Sequence, residues 1–302
     1  MVISPDLPSL PFILRNGVKC FELIAQPVQR EILPGLYINA WGYNGSTPGP
    51  TIHVYPGDYV NIRVINRLPE STSVHWHGLD VPNAMDGAPG MTTSPQIGPE
   101  EYFDYKFQIK NPPGTHMYHA HMDAMCQEMM GLQGGLIILE PDQPDKPCGV
   151  HRDYFVMFQE FHVKKQPMHG YTPGVYDLDP YNMDYNFFTI NGRCFPDTTP
   201  LEVCTGENVR IRLSNAMETA HPIHLHGHQF YVTASDGNTI PPGQRLLRNN
   251  ILVASGDTWD IEFSANNPGQ WPFHCHIPHH MTNNMSKSGG GMMTTILYKQ
   301  YT

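Results

Sequence analysis

The sequence predicts an all-β protein, and three observations carry that reading. Segments such as 51–55 and 59–64 alternate apolar and polar residues, the period-2 signature of half-buried strands. Gly, Pro and Asn punctuate the chain every ~8–12 residues, as they do between the strands of sandwiches and barrels. No long stretch carries apolar residues at the 3.6-residue period of a helix. With 27 Gly and 29 Pro among 302 residues, turn formers are well above the usual ~12%.

The chain is long enough for two domains of about 150 residues each. Its 40% hydrophobic content supports a packed core, and a net charge of −10 excludes a nucleic-acid binder living on phosphate contacts. No run of 18 apolar residues exists to span a membrane. The opening MVISPDLPSLPF has neither a basic region nor a long apolar core, so no export signal is visible and the compartment stays open.

An internal repeat sets the organisation. Shifted by 149, segment 50–66 lies on 199–215, and Val54, Gly57, Val60, Ile62, Arg63 and Asn66 meet identical residues. The same shift carries His75 and His77 onto His224 and His226. A shift of 155 carries segment 111–121 onto 266–276, matching Asn111, Pro113, Gly114, His119 and His121. Two β domains of one kind follow, at 31–142 and 150–302, joined through EPDQPDKP (140–147). Residues 1–30 read as an arm packed on the first.

The 17 histidines are sorted rather than scattered: five between His75 and His121, eight between His221 and His280, four elsewhere. In a strand, residues i and i+2 share a face about 7 Å apart. The pairs His75/His77, His119/His121, His224/His226 and His274/His276 therefore each present two imidazoles to one side. Eight imidazoles suit a cluster of two or three ions. Cys275, between His274 and His276, turns its sulfur to the opposite face. With His221, His280 and Met285 it makes a His₂Cys set with a weak thioether, the donor set of a blue-copper electron-transfer site. Electrons reaching that sulfur can leave through the adjoining peptide bonds to His274 and His276.

These four segments, HWHG (75–78), HAH (119–121), HPIHLHGH (221–228) and HCHIPHHMTNNM (274–285), resemble the four copper-binding motifs of multicopper oxidases, the family of laccases and ascorbate oxidase. The resemblance covers about residues 45–300. It implies two cupredoxin-like Greek-key β-sandwich domains and four coppers per functional unit. His75 and His224 would hold the type 2 copper. His77, His119 and His276 would hold one type 3 copper, and His121, His226 and His274 the other. His221, Cys275, His280 and Met285 would form the type 1 site, with His280 preferred to His279 on family spacing. Asp86, eleven residues after His75, falls where the family often has a proton-relaying acid.

Thr72, Ala120, Met125 and Met130 stand opposite the four type 1 residues in the repeat, so only the second domain is expected to carry a type 1 copper. Similarity to small two-domain laccases implies a homotrimer with the three-copper site between subunits. The implied activity is one-electron oxidation of phenols or aromatic amines, with Met285 setting a moderate potential, coupled to reduction of O₂ to water. A metallo-oxidase acting on cuprous, ferrous or manganous ions is the second reading, motivated by the methionines, with Met292 and Met293 as a transient cuprous site. Nitrite reductase, a copper store and a simple electron carrier need fewer paired imidazoles. His53, His116, His151, His162 and His169 read as structural or exposed, His228 as a neighbour of the ligands, and Trp76 as core. Met117, Met122, Met125, Met129 and Met130 read as core filling. No disulfide is assigned to Cys20, Cys126, Cys148, Cys194 or Cys204.

Overall fold

A computed structural model describes residues 2–141 and 149–299, almost entirely as β-strands. Two pairs of sheets build it. In the first pair, a six-stranded sheet runs in the order Gly174–Asp177, Leu36–Tyr43, Val18–Leu33, Tyr59–Asn66, Tyr102–Gln108, with Phe12–Arg15 added to Val18–Leu33. It faces a four-stranded sheet, Gly49–Val54, Gln133–Ile138, Gly114–Ala120, Val74–His77. Alternation along Tyr59–Asn66 puts Val60, Ile62 and Val64 inward, where they meet Leu23, Trp76, Tyr105 and Tyr118. Trp76 is fully buried against Tyr105 and Tyr118, as its position between two outward histidines requires.

The second pair repeats the plan. An eight-stranded sheet is built on Arg152–Phe161, Asn208–Asn215, Thr258–Ser264 and Phe230–Ser235. It faces a five-stranded sheet in the order Leu201–Cys204, Met293–Lys299, Gln270–Cys275, His221–Leu225, Asn250–Val253. Phe158, Val203, Ile223, Phe273 and Cys275 share the enclosed core. The repeat reaches the level of register: His75 pairs with His119 and Val74 with Ala120, as His224 pairs with His274 and Ile223 with Cys275.

One expectation fails. Residues 1–30 are no arm: Val18–Leu33 is an interior strand, parallel to Tyr59–Asn66 over 18–25 and antiparallel to Leu36–Tyr43 over 25–33. Backbone pairing on both sides makes it part of the sheet. The halves also exchange edges, since Val2–Ile3 pairs with Arg152–Phe161 and Gly174–Asp177 with Leu36–Tyr43. Of the expected connection at 140–147, residues 142–147 lie outside the described residues, as does Cys148. Cys20, Cys126, Cys194, Cys204 and Cys275 are all free thiols. Among the described residues no helix is long and apolar enough to cross a membrane.

A buried ion-pair group ties the halves together. Arg212 is almost wholly enclosed, and its guanidinium donates to both oxygens of Asp153 (2.7 and 2.8 Å), to Asp260 (3.3 Å) and to the Thr115 hydroxyl of the first half (2.9 Å). Removing one member leaves the others charged and dry. Arg212→Ala is expected to cost about 3–5 kcal/mol, read as a lower urea midpoint at unchanged slope.

Candidate metal centre

The eight paired histidines form two sets of four. In the first, ring centroids of His75 lie 5.7, 5.3 and 5.5 Å from those of His77, His119 and His121. In the second, those of His224 lie 4.8, 5.7 and 5.7 Å from those of His226, His274 and His276. No ring contact joins one set to the other among the described residues. Each set has one close nitrogen pair: His77 Nδ1 to His119 Nε2 at 3.3 Å, and His226 Nε2 to His274 Nε2 at 2.9 Å. The first set's His75, His77 and His119 bring their donor atoms within 4.8 Å of one another.

Backbone carbonyls orient these rings. The Nδ1 atoms of His75, His119, His224 and His274 point at the carbonyls of Asp86 (2.8 Å), Ala120 (2.9 Å), Asn249 (2.6 Å) and Cys275 (2.7 Å). An imidazole that donates from Nδ1 keeps a lone pair on Nε2, which is what a metal needs. The loop supplying the Asp86 carbonyl is pinned by Gly87. Its φ is +85°, and a Cβ there would meet Val74 O at 1.8 Å. The Asp86 carboxylate lies 3.5 Å from His75 Nδ1. Glu128, on the short helix Ala124–Met129, was not singled out by the sequence reading. It sits 3.2 Å from His119 Nδ1. Burial lowers the His119 pKa, but the Glu128 hydrogen bond and charge outweigh it and leave the ring above its ordinary value.

The second group is compact and dry. Cys275 Sγ lies 3.5 Å from His280 Nδ1 and 3.9 Å from His221 Nδ1, and the two Nδ1 atoms are 3.2 Å apart. All three residues are at most 2% exposed. A divalent ion bound in a trigonal plane at about 2.0 Å to nitrogen and about 2.3 Å to sulfur holds its donors about 3.5–3.7 Å apart. The observed separations fit. A thiol with two imidazoles favours copper over magnesium, calcium or manganese. Without a cation, burial pushes the Cys275 thiol up to about 12 and holds His221 and His280 near about 3, so the imidazoles are neutral and ready to ligate. Phe188 stacks on His280 with centroids 3.8 Å apart, and the exposed ring of His279 abuts it at 4.4 Å.

Met285 is not part of this group. It is 51% exposed, at φ +55° on the outer tip of the loop that follows His280. Met292 takes the inner place. It is fully buried in the apolar cluster that contains Cys275, its N–H donates to His280 O (2.8 Å), and its carbonyl accepts from Cys275 N–H (3.0 Å). The run SKSGGG (286–291) separates the two methionines. The chain bulges outward through Met285 and returns at Gly291, whose φ is +62° and where a Cβ would lie 2.1 Å from His280 O. An enclosed Met292 also offers no surface site to a passing cuprous ion. Met117 and Met129 fill core as expected, but Met125 is 42% exposed. His228 turns away to Tyr298 OH (2.6 Å).

This constellation on paired β-sandwiches defines a copper protein of the multicopper oxidase class. The multicopper oxidase family models match residues 25–143 and 167–288, and the chain belongs to that family. It is 29% identical over 266 residues to multicopper oxidase MmcO of Mycobacterium tuberculosis, covering 80% of this chain and 51% of that protein. It is 32% identical over 238 residues to Laccase-1 of Thanatephorus cucumeris, covering 71% and 39%. The chain thus spans about half the length, or less, of these curated relatives. The crystal structure of blue copper oxidase from Nitrosomonas europaea superposes with TM-score 0.77 at 31% identity, over 92% of this chain and 85% of that one. The fold is cupredoxin-like.

The buried histidines make a pH prediction for the metal-free chain. His116, with its Nε2 unpartnered in the core, is held near about 4 by burial, and His221 and His280 near about 3. Each binds a proton near pH 6.5 once unfolded but not while folded. Stability is therefore full above about pH 6.5 and falls as pH drops from there toward 4, by about 1.4 kcal/mol per pH unit for each such histidine. Urea midpoints measured from pH 7 to 4 should show this slope, and His116→Gln should reduce it.

Proposed function

We propose that the chain is a laccase-type oxidase, taking single electrons from phenols or aromatic amines and passing four to O₂. One observation carries this reading: a buried thiolate–imidazole triad lies one peptide bond from two members of an imidazole set. A similarity to a laccase supports the donor class. Copper, when bound, would supply the redox chemistry: one-electron uptake at the Cys275 site and, at the imidazole cluster, the four electrons that with four protons convert O₂ to two waters. His221, Cys275 and His280 would hold the first ion, and Met292, enclosed in the same cluster as Cys275, rather than the exposed Met285, would be the thioether available to it. His75 and His224 serve the type 2 position. His77, His119 and His276, and His121, His226 and His274, serve the two type 3 positions, giving four coppers per functional unit.

The remaining residues orient, shield and move protons. Phe188 and the dry wall of the second core keep water from the thiolate. Asp86, its carboxylate 3.5 Å from His75 Nδ1, would hold and release protons beside the imidazole set, and Glu128 orients His119. Two domains, about 31–142 and 150–302, each bring half the imidazoles, and no ring contact joins the two sets among the described residues. A second copy would complete the cluster. A head-to-tail interface that closes on itself gives a ring, and we place this chain in a homotrimer.

Copper-loaded protein should absorb intensely in the visible and consume O₂ with a phenol. Cys275→Ser should abolish both while cluster copper stays bound. Met292→Leu should raise the potential of the thiolate-bound copper, because a donor to the oxidised ion is lost, whereas Met285→Leu should leave it unchanged. A raised potential in Met285→Leu with none in Met292→Leu would return the donor role to Met285.

A further inference from the structure

Opposite the thiolate, on the far side of His221, two buried polar atoms face each other without partners. Glu160, on strand Arg152–Phe161, and His221, opening strand His221–Leu225, are both completely enclosed. Phe158 and Glu160 are two apart on that strand, so both point toward the His221 ring, and Phe158 packs on it at 5.9 Å. Glu160 Oε1 accepts the Thr219 N–H at 2.7 Å. Glu160 Oε2 has no hydrogen-bond partner, nor has His221 Nε2, and the two lie 3.7 Å apart. That is longer than a hydrogen bond of about 2.9 Å, but neither atom has a partner within hydrogen-bond distance.

The chemistry of the ring makes the pairing directional. His221 turns Nδ1 toward Cys275 and His280, so a ligating His221 must carry its proton on Nε2, the nitrogen that faces Glu160. Both groups reaching the carboxylate, the Thr219 N–H and the His221 Nε2–H, are then donors, which is what an acceptor-only carboxylate requires. Burial pushes the Glu160 carboxyl up to about 7, and a donor at Oε2 offsets that penalty and favours the ionised, accepting form.

We propose that Glu160 is a positioning residue for the thiolate centre: its Oε2 holds the His221 Nε2–H, locks the tautomer that leaves Nδ1 free for the metal, and lowers the reduction potential by making His221 a stronger donor. It thereby tunes the oxidase to easily oxidised substrates. The tuning half of this inference rests on the function proposed above; the tautomer half does not. Such a carboxylate–histidine–metal arrangement is a recognised way of orienting a ligand and raising its basicity. No motif announces Glu160, because it lies 61 residues from His221 in a mostly buried strand.

Two measurements test it. With ¹⁵N-labelled histidine in the metal-free chain, His221 should be a single Nε2–H tautomer in the native protein and in Glu160→Gln, which keeps an acceptor, but mixed in Glu160→Leu. In the copper-loaded protein, Glu160→Gln should retain the visible thiolate band. It should also raise the equilibrium constant for reduction of that copper by at least tenfold, about 59 mV for one electron. An unchanged tautomer in Glu160→Leu, or an unchanged potential in Glu160→Gln, would overturn the inference. Should Glu160→Leu fail to fold, Glu160→Gln alone decides through its potential. A native protein without a visible band would instead refute the proposed function, and the tautomer measurement would still judge Glu160.

Discussion

Side-chain alternation across strand Gln270–Cys275 and the residue after it is the constraint on which the rest depends. Successive residues of a strand face opposite sides, so His274 and His276 turn outward to one ring set while Cys275 enters the closed core. Two chemical environments are thereby made from three consecutive residues. The outward side is a polar surface of convergent imidazoles. The inward side is a dry pocket that holds sulfur against two neutral rings. The same alternation at His119–Ala120–His121 places Ala120 in the first core. There it has no sulfur to offer, which is why one half carries a thiolate centre and the other only imidazoles.

The energetics reinforce this division. Burying a thiol and two imidazoles without a cation leaves weakly matched donors facing one another at 3.2–3.9 Å. A bound cation replaces that mismatch with coordination bonds, so metal binding and folding are coupled here. Around the imidazole sets, backbone carbonyls orient four of the eight rings. Backbone geometry therefore favours one tautomer at those four, with Glu128 adding a side-chain partner at His119.

Much of this was legible in the sequence because strands convert spacing into direction. The 149 and 155 shifts anticipated the matched pairings His75–His119 and His224–His274. Three features were hidden. Met285 is exposed while Met292 shares the enclosed cluster of Cys275, and counting residues from the cysteine cannot see the loop at 286–291 between them. Glu128 and Glu160 lie far from their histidines along the chain and reach them only through sheet packing. The strand Val18–Leu33 was masked by Pro27 and a polar run. Pro27 falls just past the end of pairing with Tyr59–Asn66, where one side of the strand is open and a missing N–H costs little.

The central claim is that one chain holds a complete thiolate centre but only two separated halves of a cluster. Anomalous X-ray scattering at the copper edge from crystals of the loaded protein tests it most directly. The account requires one ion between His221, Cys275 and His280 within each chain. It also requires three ions between the His75, His77, His119, His121 set of one copy and the His224, His226, His274, His276 set of another. Three ions gathered within a single chain, or none at the sulfur, would contradict it.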